Sequence, residues 1–162
     1  GQQLAASLGW AFVDTDSRVV TQAGQEIAAI VKKNGWAHFR RLEQSCLRAV
    51  ADQHHQVVAT GGGIVLDAHN VKIMKTSGVV VWLTAAPDII RQRMRGDRQT
   101  ENQRPALTDR NAIDEIETVL NERMPLYRAA SDIAIDTGLE TPFALVQDLV
   151  TRLARFHDKP AR

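Results

Sequence analysis

Cysteine is all but missing from this chain. One of its 162 residues, Cys46, is a cysteine, which excludes an internal disulfide framework and fits a reducing cytoplasm. Net charge is missing too. The 20 Lys and Arg against 19 Asp and Glu leave +1, so no bulk field draws the protein to nucleic acid or to a membrane surface. Long apolar runs are absent: stretches such as Val79 to Leu83 are far shorter than the ~20 residues that cross a bilayer. The opening residues, GQQLAASLGW, carry neither the basic start nor the long apolar core of a signal peptide. There are no internal repeats and no low-complexity segments. What remains is an ordinary composition, 44% hydrophobic and 24% charged, at a length that suits one domain with its own core.

Against that plain background one stretch stands out: VVATGGGIV, residues 57–65. Three successive glycines carry a large entropy cost on folding. Either the backbone takes unusual angles there, or something approaches it closely. Residues 2–8 have helical composition and stop at Gly9, WAFV at 10–13 reads as a strand, and 17–52 read as helix in two or three pieces, broken near Gly24 and Asn34-Gly35. VVAT at 57–60 is a second strand and 68–76 a helix. VVVWLT at 79–84 is a third strand, whose lack of alternation predicts burial on both faces. Pro87 opens a helix over 87–95, a polar and basic stretch fills 96–110, and a helix comes next over 111–123. IAID at 133–136 is the last strand, a helix covers 142–156, and 157–162 form a frayed tail. Strands alternating with helices predict an α/β fold with a parallel sheet and right-handed crossovers.

In such folds ligands bind at the carboxyl ends of the strands. Asp14 and Asp16 come after the first strand, Gly61, Gly62 and Gly63 after the second, and Thr84 to Pro87 after the third. Two acids one residue apart suit a metal-bound water and a proton acceptor. The plainer reading is an Asx turn with Asp16 capping the next helix. Arg40 and Glu43, three apart beside Phe39, are either part of a site or an exposed helical pair worth a few tenths of a kcal/mol. Arg104 in QRPAL and Arg123 before MPLY are singly solvated charges, yet arginines grouped near a ligand suit carboxylate or phosphate recognition. His54-His55 has no partner at metal-ligand spacing. Cys46, Trp36 and Trp82 read as packing residues.

FVDTD at 12–16, FRRLE at 39–43, ATGGGIV at 59–65, QRPAL at 103–107 and RMPLY at 123–127 together resemble the shikimate kinase family, in order and spacing, along residues 1–155. NGWAHFRRLE is similar to the second bacterial isoform type. The resemblance implies a three-layer α/β/α parallel sheet of the P-loop nucleoside-monophosphate-kinase type. It implies one domain over 1–156, with a shikimate-binding helical region at 17–52 and a lid at 96–110. The implied reaction is ATP-dependent phosphorylation of the 3-hydroxyl of shikimate, with Mg²⁺, in cytoplasmic chorismate and aromatic amino acid biosynthesis. Gly61, Gly62 and Gly63 would flank shikimate, Arg40 and Arg123 would clamp its carboxylate, and Glu43 would orient Arg40. Asp16 would hold the attacking hydroxyl and take its proton, and Asp14 would sit near Mg²⁺ through water. Arg104 on the lid would reach the transferred phosphate, and Arg93 or Arg95 would pack near the adenine. Mixed charge without an obvious apolar patch makes a monomer the expectation.

The family's phosphate loop, G-x-x-x-x-G-K-[ST], does not occur in these residues. GQQLAASLGWAFVDTD reads as the segment just downstream of that loop, the rest of its helix and then the next strand. The expectation is therefore a chain truncated at its N-terminus, lacking the central first strand of a five-stranded sheet, marginally stable and inactive as it stands, because the β/γ-phosphates have no cradle. Two alternatives stand beside this. One is another small-metabolite kinase, gluconate-like or acting on a nucleoside monophosphate, although a carboxylate clamp has no purpose for a nucleobase. The other is a shikimate-kinase-like binding domain without catalysis.

Overall fold

The computed structural model describes residues 1–96 and 115–157. Apart from Gly96, the expected lid lies outside the described residues, and Arg104 with it, as do residues 158–162. Helix α1 (Gln2–Leu8) stops at Gly9, whose φ of 66° is the left-handed C-cap geometry that a glycine adopts without a Cβ penalty. Strand β1 (Ala11–Asp14) leads into α2 (Thr15–Ala23), α3 (Ile27–Asn34) and α4 (Trp36–Ala51), and the chain returns as β2 (Gln56–Ala59). Next come a 3-10 turn (Ile64–Leu66), α5 (Ala68–Ser77), β3 (Val81–Thr84), α6 (Pro87–Gly96), α7 (Ile116–Ala130), β4 (Ile133–Asp136) and α8 (Pro142–His157).

The four strands form two parallel pairs, β1 with β2 and β3 with β4. Phe12 lies opposite Val57 and Asp14 opposite Ala59 in the first; Trp82 lies opposite Ala134 in the second. Parallel neighbours need a long crossover. Helices α2 to α4 supply the first, and the stretch containing α6 and α7 supplies the second. One apolar cluster joins the two pairs: Leu4, Ile133, Ile135, Val146 and Leu149 are buried, with Val57 of β2 and Val81 of β3 packed against them. Helices α1 and α8 thus cover one face. Val58 points to the opposite face, as the next residue of a strand must. There it joins Val13 against Leu47, Val50, Ile64, Val65 and Ala130, which come from α4, the 3-10 turn and α7. Helices on both faces of parallel strands give the expected layering.

Helix α4 shows how packing positions the site. Its buried residues are Phe39, Glu43, Cys46, Leu47 and Val50, a stripe at helical spacing. Burial of each large apolar side chain is worth roughly 1.5–3 kcal/mol. The stripe can therefore carry one carboxylate, Glu43, into the interior despite the cost of desolvating it.

Two expectations change. MPLY does not lie beyond the helix: α7 runs on to Ala130 with Pro125 inside it. The lost N–H is tolerated because Ile116 and Ala130 anchor both ends in the core. Strand β3 begins at Val81 and is not buried on both faces, since Leu83 is 57% exposed. Among the described residues β4 is its sole strand partner.

Candidate active site

Strand β1 ends by delivering two acids. Asp14 has extended backbone (φ −108°, ψ 118°), and its Oδ1 accepts the Ser17 N–H at 2.9 Å. Asp14, and not Asp16, is therefore the cap of α2. Asp16 sits in the first turn of that helix and faces the glycine run instead.

Each glycine of that run meets a different side chain. A Cβ on Gly61 would lie 2.9 and 3.1 Å from the two carboxylate oxygens of Asp16 and 3.1 Å from Oε1 of Glu43. On Gly62 it would lie 3.0 Å from the Tyr127 hydroxyl, and on Gly63 it would fall within the Arg40 guanidinium. None of the three has a positive φ. Close approach, and not unusual angles, is what requires glycine here, and the groups that approach are the protein's own.

Glu43 is 1% exposed. Its Oε2 accepts from Arg40 Nη1 at 2.7 Å, while Oε1 has no hydrogen-bond partner among the described residues. Burial pushes its carboxyl above the ordinary range, against the lowering pull of Arg40 and, less strongly, of the Arg123 charge. The reading of Arg40 and Glu43 as an exposed pair is thus corrected, because α4 turns Glu43 inward. Removing either partner would leave a poorly compensated charge. The Arg40 guanidinium lies 5.2 Å from the Trp36 ring and 5.3 Å from the Phe39 ring. These ring contacts help to aim it, so Trp36 does more than fill space. Sequence reasoning missed Tyr127, whose hydroxyl donates to the Gly62 carbonyl at 2.9 Å. The available signals were its place at the end of RMPLY and four residues after Arg123, on the same helix face.

The structure thus brings Asp14, Asp16, Arg40, Glu43 and Gly61 to Gly63 to one end of the β1–β2 pair, with the charge of Arg123 felt at Glu43. Arg93 sits at the carboxyl ends of the other pair, where it donates to Thr137 Oγ1 at 2.7 Å and to the Thr137 carbonyl at 2.6 Å. Arg95 is exposed on the same helix. No group of three or more His, Cys, Asp or Glu is placed to hold a metal among the described residues. Asp14 nonetheless offers a hard carboxylate donor, which fits a cation held mainly by ligand phosphates and water. A cavity of about 450 Å³ between Asp132, Ala134 and Arg155 opens at the amino end of β4, the wrong end of the strands for this chemistry.

An arginine fork beside a buried carboxylate oxygen with no partner is an unfinished arrangement. A small ligand bearing a carboxylate and hydroxyls would complete it, and the carboxyl ends of parallel strands are where α/β enzymes hold such ligands. The class is thus an α/β enzyme acting on a small polar metabolite. A family model described as shikimate kinase matches residues 1–154, and the chain belongs to the shikimate kinase family. It is by membership a kinase, a phosphotransferase with ATP as co-substrate. The shikimate kinase of Nitratidesulfovibrio vulgaris is 38% identical over 156 residues, covering 96% of this chain and 87% of that protein. The shikimate kinase 2 of Enterobacter sp. is 42% identical over 153 residues, covering 94% of this chain and 86% of that protein. Among solved structures, shikimate kinase from Acinetobacter baumannii in complex with shikimate aligns with a TM-score of 0.87 at 28% identity, over 98% of this chain and 87% of that one. The family assignment sets aside the gluconate-like and nucleoside monophosphate kinase alternatives.

Proposed function

We propose that these residues form the shikimate side of a site for ATP-dependent phosphorylation of the 3-hydroxyl of shikimate. The observation that carries this is the convergence of Asp16, Glu43 and Arg40 on three successive glycines. In this reading Gly61, Gly62 and Gly63 flank the ligand ring, and Arg40 and Arg123 clamp its carboxylate. Glu43 holds Arg40 in direction. Asp16 holds the 3-hydroxyl and accepts its proton as that oxygen attacks the γ-phosphorus in line. The bond from the γ-phosphorus to the bridging oxygen breaks, and ADP leaves. The neighbour that is a complex with shikimate supports this choice of acceptor.

Arg104 and the rest of the 97–110 stretch lie outside the described residues; the family resemblance assigns Arg104 to the transferred phosphate and the 96–110 stretch to excluding water. Arg93 or Arg95 packs near the adenine; the bonds of Arg93 to Thr137 keep it at the ends of β3 and β4. Asp14 would help to hold Mg²⁺, and that metal would supply neutralisation of the phosphate charge. The domain spans 1–156, with 17–52 as the acceptor-binding helices. It works in the cytoplasm as a monomer, with neither nucleic acid nor membrane as partner. The near-zero net charge supports the absence of a nucleic-acid partner, and no helix among the described residues is long and apolar enough to cross a membrane.

No G-x-x-x-x-G-K-[ST] loop lies within these 162 residues, so by themselves they should not turn over. The separate strand pairs and the exposure of Leu83 are in keeping with room for a further strand between them. The test is shikimate-dependent ADP release from the 162-residue chain and from one preceded by a strand and a phosphate loop. Only the second should react. A folded but inert longer chain would favour the non-catalytic binding domain. Turnover by the 162 residues alone would overturn the requirement for the loop.

A further inference from the structure

The Gly62–Gly63 peptide is the most easily turned unit of the substrate loop. A peptide flip changes ψ of the first residue and φ of the second, and both are glycines, which admit either orientation at little steric cost. The Arg40 guanidinium lies against Gly63, and Tyr127 holds the peptide by a hydrogen bond: its hydroxyl donates to the Gly62 carbonyl at 2.9 Å. The phenol is itself held. Its ring lies 5.8 Å from that of Trp82 on β3, tilted by 32°, and packs against the cluster of Leu47, Val50, Ile64 and Val65. Tyr127 thus ties the loop after β2 to the other strand pair. It also stands one helical turn beyond Arg123 on α7.

We propose that Tyr127 is a positioning residue that locks the Gly62–Gly63 peptide in one orientation and couples it to the Arg123 clamp. A trans peptide is planar, with C=O and N–H pointing in opposite directions, and no cis bond is present. Fixing the Gly62 carbonyl on Tyr127 therefore fixes the Gly63 N–H on the opposite edge of the peptide, and in this proposal that N–H serves the bound acceptor. Losing the phenol frees the flip, and shikimate must then select one of two loop states, which weakens its apparent affinity. This rests on the shikimate reading of the site. A purely structural role would instead make Tyr127 a partly buried aromatic whose hydroxyl happens to find an acceptor.

Tyr127→Phe separates the two, because the ring and its contact with Trp82 remain. Calorimetric titration of the 162-residue chain with shikimate should show affinity about three- to tenfold weaker, the scale of one hydrogen bond. The thermal midpoint should stay near that of the parent, and amide exchange at Gly63 should accelerate. Unchanged affinity, or weaker affinity with a lowered midpoint and unchanged Gly63 exchange, overturns the proposal. Arg123→Ala run alongside keeps the failures distinct. If the parent binds shikimate and only Arg123→Ala weakens it, the site reading stands and the Tyr127 lock falls. If the parent does not bind shikimate, both fall.

Discussion

The pairs β1–β2 and β3–β4 are each four residues long, parallel and in register throughout, yet they lead to unlike ends. Beyond β1 and β2 the chain closes on itself: Asp14 caps α2, and the glycine run is seated against Asp16, Glu43, Tyr127 and Arg40. Beyond β3 and β4 it is open. Leu139 and Phe143 are 86% and 72% exposed, and α6 buries none of its residues. That corner is held by polar links, Arg93 to Thr137 and the Thr137 hydroxyl to the Thr84 carbonyl. The end built on packed helices is held by its own contacts, with Glu43 Oε1 left for a ligand to satisfy. The end beyond β3 and β4, proposed for the nucleotide, has fewer packed contacts among the described residues.

Substitutions at the two ends should sharpen that contrast. The largest effect is expected at Asp16. In the chain extended by a phosphate loop, Asp16→Ala should lower kcat by roughly 10²–10⁴ if Asp16 is the base. Comparable loss in Arg93→Ala would erase the distinction between the ends. Next comes Gly63→Ala. The new methyl would occupy the place of the Arg40 guanidinium, and the tip of an arginine can swing aside. The fold should therefore persist while the clamp loses its aim, costing roughly 1.5–3 kcal/mol of shikimate affinity by calorimetry. Gly78→Ala, at an extended position with nothing within 4 Å, should leave affinity unchanged and stability within about 0.5 kcal/mol. Equal behaviour of the two alanines would mean that the glycine run is not a close-approach device.

The smallest effect is a slope. Burial holds the folded Glu43 carboxyl above its unfolded value of 4.5, so the folded state keeps a proton that the unfolded chain releases. Its stabilising contribution is full below that value and is lost as pH rises through the raised folded value. Urea unfolding from about pH 4 to 8 should show this decline in the parent and not in Glu43→Gln. Parallel curves for the two proteins would show that the burial of Glu43 is fully compensated by its arginines.

The alternation of strands and helices and the motif residues at strand ends were legible in the sequence, because periodicity and glycine placement are local signals. What was not legible depended on tertiary contacts. D-T-D at 14–16 leaves either acid as the cap, and only the point where β1 ends assigns it to Asp14. Spacing places Glu43 beside Arg40 but cannot say that the α4 stripe turns it inward. Pro125 reads as a helix breaker, and only core anchoring at both ends of α7 overrides it. Tyr127 and Gly62 are 65 positions apart, beyond the reach of any pattern.

That separation has a consequence for the order of assembly. The glycine run lies against groups from α2, α4 and α7, so it reaches its final setting only after those segments have come together, and loop-closure entropy makes such contacts slow to form. The helices and strand pairs should be in place in the folding transition state before the run is. Shikimate bound at this seam should then slow unfolding and leave the refolding rate unchanged, a partition that stopped-flow kinetics can read. Faster refolding in its presence would instead put the glycine run in the nucleus.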